Sequence, residues 1–129
     1  MTDHEHHNEL LQGLSDQLKE IFEESNQAIY LYLDDAHKIC NQKFADLLGY
    51  ASTEAWAEVT EPFPQVFVNK NSQEALIDAF QKAMELKAAS TTPITWKKQT
   101  GEMIDTTVII VPISYQGHLF ALHFVTANN

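Results

Sequence analysis

The sequence predicts an α+β domain in which one amphipathic helix precedes two strands, three or four short helices and three closing strands. Three observations carry that prediction. Leu10, Leu11, Leu14, Leu18, Ile21 and Phe22 recur at spacings of three and four, the period of a helix with one apolar face. At "AIYLYLD" the period drops to two. The last third, "TPITWKKQTGEMIDTTVIIVPISYQGHLFALHFVTA", reads as strands joined at Thr100-Gly101 and Gln116-Gly117. With 129 residues, 44% of them hydrophobic, the chain has the size and composition of one domain with a real core.

The first helix is expected from about Glu9 to Glu24. Residues 1–24 hold seven acids and one base, a net charge of −6 out of −10 for the chain, which sets this segment apart. Its apolar stripe needs cover, either on its own domain or on the same helix of a second chain. In "AIYLYLD", Ile29, Leu31 and Leu33 alternate with Tyr30 and Tyr32, so large side chains point to both faces of the strand. "DDAH" makes a turn, with Asp34 stabilising it, and "KIC" a short second strand. Asn41 is placed to cap the helix of "QKFADLLG", in which Phe44, Leu47 and Leu48 share a face and Gly49 takes the left-handed end.

"STEAW" restarts a helix with Ser52 or Thr53 as cap and Trp56 as apolar anchor. The prolines of "EPFPQVFVNK" allow at most one helical turn around Phe63 to Phe67. Asn71 and Glu74 are spaced as a capping box for a helix to about Ala88. The runs Val108 to Val111 and Leu119 to Phe124 do not alternate, so both faces of the sheet should be buried.

This order resembles that of a PAS domain. The resemblance runs from about Glu23 to Val125 and rests on "AIYLYLD", Asn41 before "FADLLGY", "STEAW", the long helix from about Asn71, the "KKQTGEMI" hairpin and Pro112. It implies a five-stranded antiparallel sheet in the order 2-1-5-4-3, with short helices on one face enclosing a small pocket. Residues 25–126 would form the PAS domain and residues 1–24 a flanking helix. Family members that feed an effector commonly end on an Asp-x-Thr tripeptide; "HFVTANN" has no such aspartate. That puts output through a C-terminal helix in doubt and makes the N-terminal helix the expected signalling or assembly element.

Cofactor chemistries known in that family fit poorly. Covalent flavin sensing resembles an Asn-Cys-Arg-Phe-Leu-Gln motif that this chain lacks, and Cys40 precedes Asn41 at a strand end, where a small core residue is expected. Haem is disfavoured because residues 71–88 contain no histidine, and His123 in the last strand reads as a hydrogen-bonded sheet residue. His4, His6 and His7 lack an indicated fourth ligand and read as a solvated or disordered start rather than a metal site. His37 is expected in a turn facing water. Asp34 and Asp35 point apart along a strand end, and no catalytic motif appears, so no enzyme is expected.

What remains is an apolar pocket, with Phe44, Leu48, Trp56, Phe67, Leu76, Phe80, Trp96 and Ile110 as candidate lining for a small noncovalent ligand, or else as plain core. On the opposite face, Leu10, Leu14, Leu18, Ile21, Tyr30 and Tyr32 are the expected cover or homodimer surface. The acidic balance disfavours nucleic acid and anionic membrane as partners. One cysteine, an acidic start and no long apolar run point to a cytoplasmic setting, and the resemblance to PAS domains implies a sensory module with a signalling partner, or a ligand-free protein-interaction module. Composition leaves open whether the chain is part of a larger receptor.

Overall fold

In the computed structural model, strand β1 (Ala28–Asp34) pairs with β2 (His37–Cys40) on one side and β5 (His118–Ala127) on the other, and β5 continues through β4 (Met103–Tyr115) to β3 (Ser90–Lys97). All pairings are antiparallel and the order is β2-β1-β5-β4-β3, as expected. The structure describes residues 3–128, with side chains from His6 onward. Helix α1 (Asp3–Glu24) lies on the outer face of the sheet. On the inner face lie α2 (Gln42–Leu48), α3 (Thr53–Ala57), α4 (Phe63–Phe67) and α5 (Lys70–Leu86). Among the described residues no helix is long and apolar enough to cross a membrane.

The alternation of β1 divides the interior into two cores. Ile29 and Leu31 face outward with Phe120 and Leu122 of β5, and Leu10 and Leu14 of α1 close over them at 2% and 3% exposure. Leu11, Leu18 and Phe22 pack at the margin, whereas Ile21 remains exposed. Tyr30 faces inward, with its ring 4.7 Å from Phe44 and packed against Trp56, Phe63 and Trp96. The expectation that Tyr30 and Tyr32 belong with the α1 stripe is thus corrected. Period two fixes that they share a face but not which one, because both faces carry large side chains. The rest of the outer face, toward β3 and β4, is solvated and presents Thr91, Pro93, Thr95, Asp105 and Thr107 with Ile109 at 39% exposure. The expectation that both faces of the sheet are buried is corrected there, because α1 covers the part of the face around β1 and β5.

Asn41 does more than cap. Its Oδ1 accepts from the N–H of Phe44 and of Ile29, both at 3.0 Å, while its Nδ2 donates to Gln27 O at 2.9 Å. One buried side chain thereby joins the start of α2 to the start of β1. Gly49, at φ 79°, ends α2. Ser52 caps α3, its Oγ accepting from Ala55 N at 3.0 Å. The turn of helix around Phe63 to Phe67 forms as expected behind Pro62.

Three local expectations are corrected. Helix α1 begins at Asp3, not near Glu9, because His6 and His7 meet residues of two strand turns and so give the first turns tertiary support. Met1 and Thr2, the remainder of the expected disordered start, lie outside the described residues. His37 opens β2 and is 4% exposed rather than facing water, its Nδ1 lying 2.7 Å from Asp34 Oδ1. Helix α5 opens at Lys70 with Asn69 at the cap position and no side-chain cap bond, so Asn71 is not the cap. Pairing of Val68 with Trp96, and of Asn69 N with Thr95 O at 2.9 Å, holds the chain extended to that point.

Gly13 marks where α1 meets the β4–β5 hairpin: a Cβ there would lie 2.3 Å from the Tyr115 hydroxyl. Urea denaturation should show Gly13→Ala less favourable by about 1 kcal/mol in the Tyr115 chain than in a Tyr115→Phe background, a coupling that additive effects would not give. Replacing Asn41 by Ala removes the acceptor of the buried Ile29 N–H, one of two acceptors of the Phe44 N–H and the donor to the Gln27 carbonyl, and should cost about 1–3 kcal/mol in the same measurement.

Candidate functional site: an inner-face cleft

A cleft of about 250 Å³ opens between β1, α4 and α5. Tyr30 and His123 form its floor, Phe63, Pro64, Leu76 and Phe80 its walls, and Ile77 and Gln81 its rim, with Tyr32 alongside. The elements that place these groups follow from local sequence. Tyr30 and Tyr32 project inward from adjacent inner positions of β1, and register pairs Tyr30 with His123 of β5. Leu76 and Phe80 are one helical turn apart on α5.

Two adjacent aspartates then do different work. Asp34 Oδ1 accepts from Ala36 N at 3.0 Å and sets the turn, as expected. Asp35 Oδ1 accepts from Tyr32 Oη and from Phe63 N, both at 3.0 Å, so it fixes one ring beside the cleft and the first residue of α4. Behind it Lys38 is 2% exposed. Its ammonium donates to the carbonyls of Asp35 at 2.7 Å, Ala57 at 3.3 Å and Val59, and sits 5.2 Å from the Trp56 ring. Burial lowers the Lys38 pKa, and the charges of Asp35 and Asp34 oppose that effect. This lysine ties the α3–α4 loop to the β1–β2 hairpin.

The floor pairs two polar side chains. The His123 ring stacks on Tyr30 at 3.9 Å and 11°, and its Nδ1 donates to Ala121 O at 3.0 Å. Burial depresses its pKa to about 3, against the opposing effect of backbone hydrogen bonds at Ala121 and Tyr30, so the imidazole is neutral. The Tyr30 hydroxyl is buried and has no hydrogen-bond partner among the described residues. Burial also pushes the Tyr30 phenol well above its ordinary pKa, with the charge of Tyr32 as a lesser cause, so it remains an O–H donor.

Of the predicted lining residues, Leu76 and Phe80 border the cleft. Phe44, Leu48, Trp56, Phe67, Trp96 and Ile110 lie behind it, each at 0% exposure, and form packed core. Trp96 Nε1 is satisfied by Thr106 Oγ1 at 2.8 Å, and that hydroxyl passes its own hydrogen to Ile94 O. Sequence reasoning did not place Tyr30, Tyr32, Phe63 or His123 at the site; the available signal was the inward alternation of β1, once its face is known. Cys40 is buried, and burial pushes its thiol up to about 12 despite a backbone hydrogen bond at Ala45, which removes it as a nucleophile near neutral pH.

Because His123 titrates near 6.5 when unfolded and near 3 when folded, the unfolded chain binds the extra proton between those values. Stability from this group is complete above about pH 6.5 and declines as pH falls, by about 1.4 kcal/mol per pH unit down to about pH 3. Urea midpoints of the native chain and of His123→Gln measured from pH 7.5 to 4.5 should converge as the pH is lowered.

No family model and no curated protein matches the sequence. Solved structures do match its fold. The chain is similar to a PAS domain from a two-component sensor histidine kinase, with 16% identity over 91% of this chain and 99% of that one, at a TM-score of 0.67. It is similar to the PAS domain of a protein from Colwellia psychrerythraea, with 19% identity over 89% and 97% of the two chains and a TM-score of 0.70. The PAS domain of nitrogen regulation protein NR(II) from Vibrio parahaemolyticus matches with 16% identity, 84% and 94% coverage and a TM-score of 0.62. Strand order, the helices of the inner face and these full-length superpositions agree: the chain has the PAS-domain fold.

Proposed function

We propose that this domain is a sensory signalling module that binds a small, largely apolar or aromatic ligand carrying one hydrogen-bond acceptor in the cleft over Tyr30. The observation that carries this reading is the Tyr30 hydroxyl, buried and without a partner among the described residues, on a residue that lines the cleft. A buried donor without a partner costs about 1–3 kcal/mol, and an acceptor delivered by a ligand would recover it. Apolar walls would supply the rest of the affinity by burial. The similarity to PAS domains of a sensor histidine kinase and of a nitrogen regulation protein supports the signalling part. The reading assigns the domain no catalytic step, and the described groups of the cleft offer neither an activated nucleophile nor an ionised base.

Transmission would use the sheet and its outer helix. A ligand that favours one packing of α1 on β1 and β5 shifts the population only by its differential affinity for the two packings. Homodimerisation belongs to the same proposal, but Leu10 and Leu14 are already buried within the chain, so a dimer through an undisplaced α1 would draw on Ile21 at 46% exposure. A single monomeric species in sedimentation at micromolar concentration would remove it.

A second reading, a ligand-free protein-interaction module, is favoured by one observation: six of the eight predicted lining residues are fully packed. Native mass spectrometry and NMR separate the two readings. Phenol and acetophenone, each an aromatic ring with one acceptor oxygen, titrated at millimolar concentration, should shift resonances of Tyr30, Phe63, Phe80 and His123, and Leu76→Trp, which fills the cleft, should abolish those shifts while leaving the fold intact. No bound mass in fresh protein and no shift with either probe would favour the interaction module.

A further inference from the structure

Outside the cleft, the largest convergence of metal-ligating side chains lies at the other end of β1. His6 and His7 come from the first turns of α1, Asp34 and His37 from the β1–β2 turn, and His118 from the β4–β5 turn. Three segments distant in sequence thus bring four imidazoles and a carboxylate together. His7 Nδ1 lies 3.4 Å from Asp34 Oδ2, and His37 Nδ1 lies 2.7 Å from Asp34 Oδ1. The His7 ring is 5.3 Å from that of His37 and 6.1 Å from that of His118, and His6 Nε2 lies 3.2 Å from His118 Nε2.

We propose that His7, Asp34 and His37 bind one divalent transition-metal ion of the zinc class, fastening the first turns of α1 to the β1–β2 turn. One ligand atom from each of the three lies within 4.8 Å of the others. Tetrahedral coordination at about 2.0–2.1 Å requires donor separations of about 3.3 Å, so side-chain rotations of the order of an ångström suffice. Asp34 is pre-oriented. Its Oδ1 accepts from Ala36 N, which leaves Oδ2 directed at His7. His37 is held rigidly by burial, whereas His7 stands half-buried on the helix, where an ion could enter.

The donor set selects the class of ion. Two imidazoles and one carboxylate suit Zn²⁺, Co²⁺ or Ni²⁺, while Ca²⁺ and Mg²⁺ require oxygen donors throughout. Water completes the coordination, and the His6–His118 pair walls the site on the β4–β5 side. Without an ion the same residues form a hydrogen-bonded tether of α1, which is the reading the measurement must separate.

The test titrates Zn²⁺ into the full chain against a chromophoric chelator, and follows Co²⁺ by visible absorption. The variants are His7→Ala, on the accessible face of α1, and Asp34→Asn, which keeps the Oδ1 acceptor that sets the turn. Circular dichroism confirms that both are folded. One Zn²⁺ per chain is expected, with affinity at least about tenfold weaker in each variant, a Co²⁺ band lost in His7→Ala, and no competition from Ca²⁺. Zn²⁺ should also raise the unfolding temperature of the native chain more than that of either variant. No Zn²⁺ binding to the native chain, or binding equally tight in both folded variants, would overturn the proposal and leave the tether.

Discussion

Everything in this fold depends on β1 being buried on both sides. It is paired along both edges, and from Ala28 to Leu31 every side chain is inaccessible. A strand in that position must supply two cores at once, and alternation is the only means it has of doing so. Ile29 and Leu31 seed the outer core under α1, and Tyr30 and Tyr32 the inner core under the short helices. Each layer is then sized to the residues β1 sends to it. The outer layer is aliphatic and takes a single helix. The inner layer is aromatic, with rings of Tyr30, Phe44, Trp56, Phe63 and Trp96 meeting at angles from nearly stacked to perpendicular, and it takes three short helices and the longer α5, whose irregular joints accommodate such shapes.

Polar groups buried within that framework connect elements rather than stabilise any one of them. Asn41 joins β1 to α2, Asp35 joins the hairpin to α4, and Lys38 joins it to the α3–α4 loop. Thr106 links β4 to β3 through Trp96 and Ile94. Asn41, Asp35 and Lys38 saturate backbone groups at turns and at the ends of elements, where no ladder or helix can, whereas Thr106 works within the sheet. Helices α2, α3 and α4 are too short to hold themselves by propensity, and these bonds fix their entry angles.

The order of elements was legible in the sequence because periodicity and punctuation agree along it. Gly49, Gly101 and Gly117 all adopt the positive φ their positions called for, and Ser52 caps as its spacing suggested. What was not legible depends on choices that no local pattern encodes. Two tyrosines alternating with three aliphatics look alike from either face, so the cleft floor was assigned to the wrong side. A histidine after a turn reads as solvated unless one knows that α1 begins beside it. Lys38 gave no signal at all, since only the return of the chain at Ala57 and Val59 supplies the carbonyls that make its burial tolerable. The start of α5 was missed for a related reason: Val68 and Asn69 are claimed first by β3.

The two aspartates of the β1–β2 turn carry a mechanical consequence. Asp34 faces the histidines under α1, and Asp35, its covalent neighbour, holds Tyr32 and the first amide of α4 at the cleft. A peptide unit between them is stiff, with only its flanking dihedrals free to turn. The outer helix and the inner cleft therefore share a single dipeptide as a common anchor, in addition to the sheet that lies between them. A rotation of that turn is felt as a change of fit on both faces, and any free energy exchanged across it is the same in either direction.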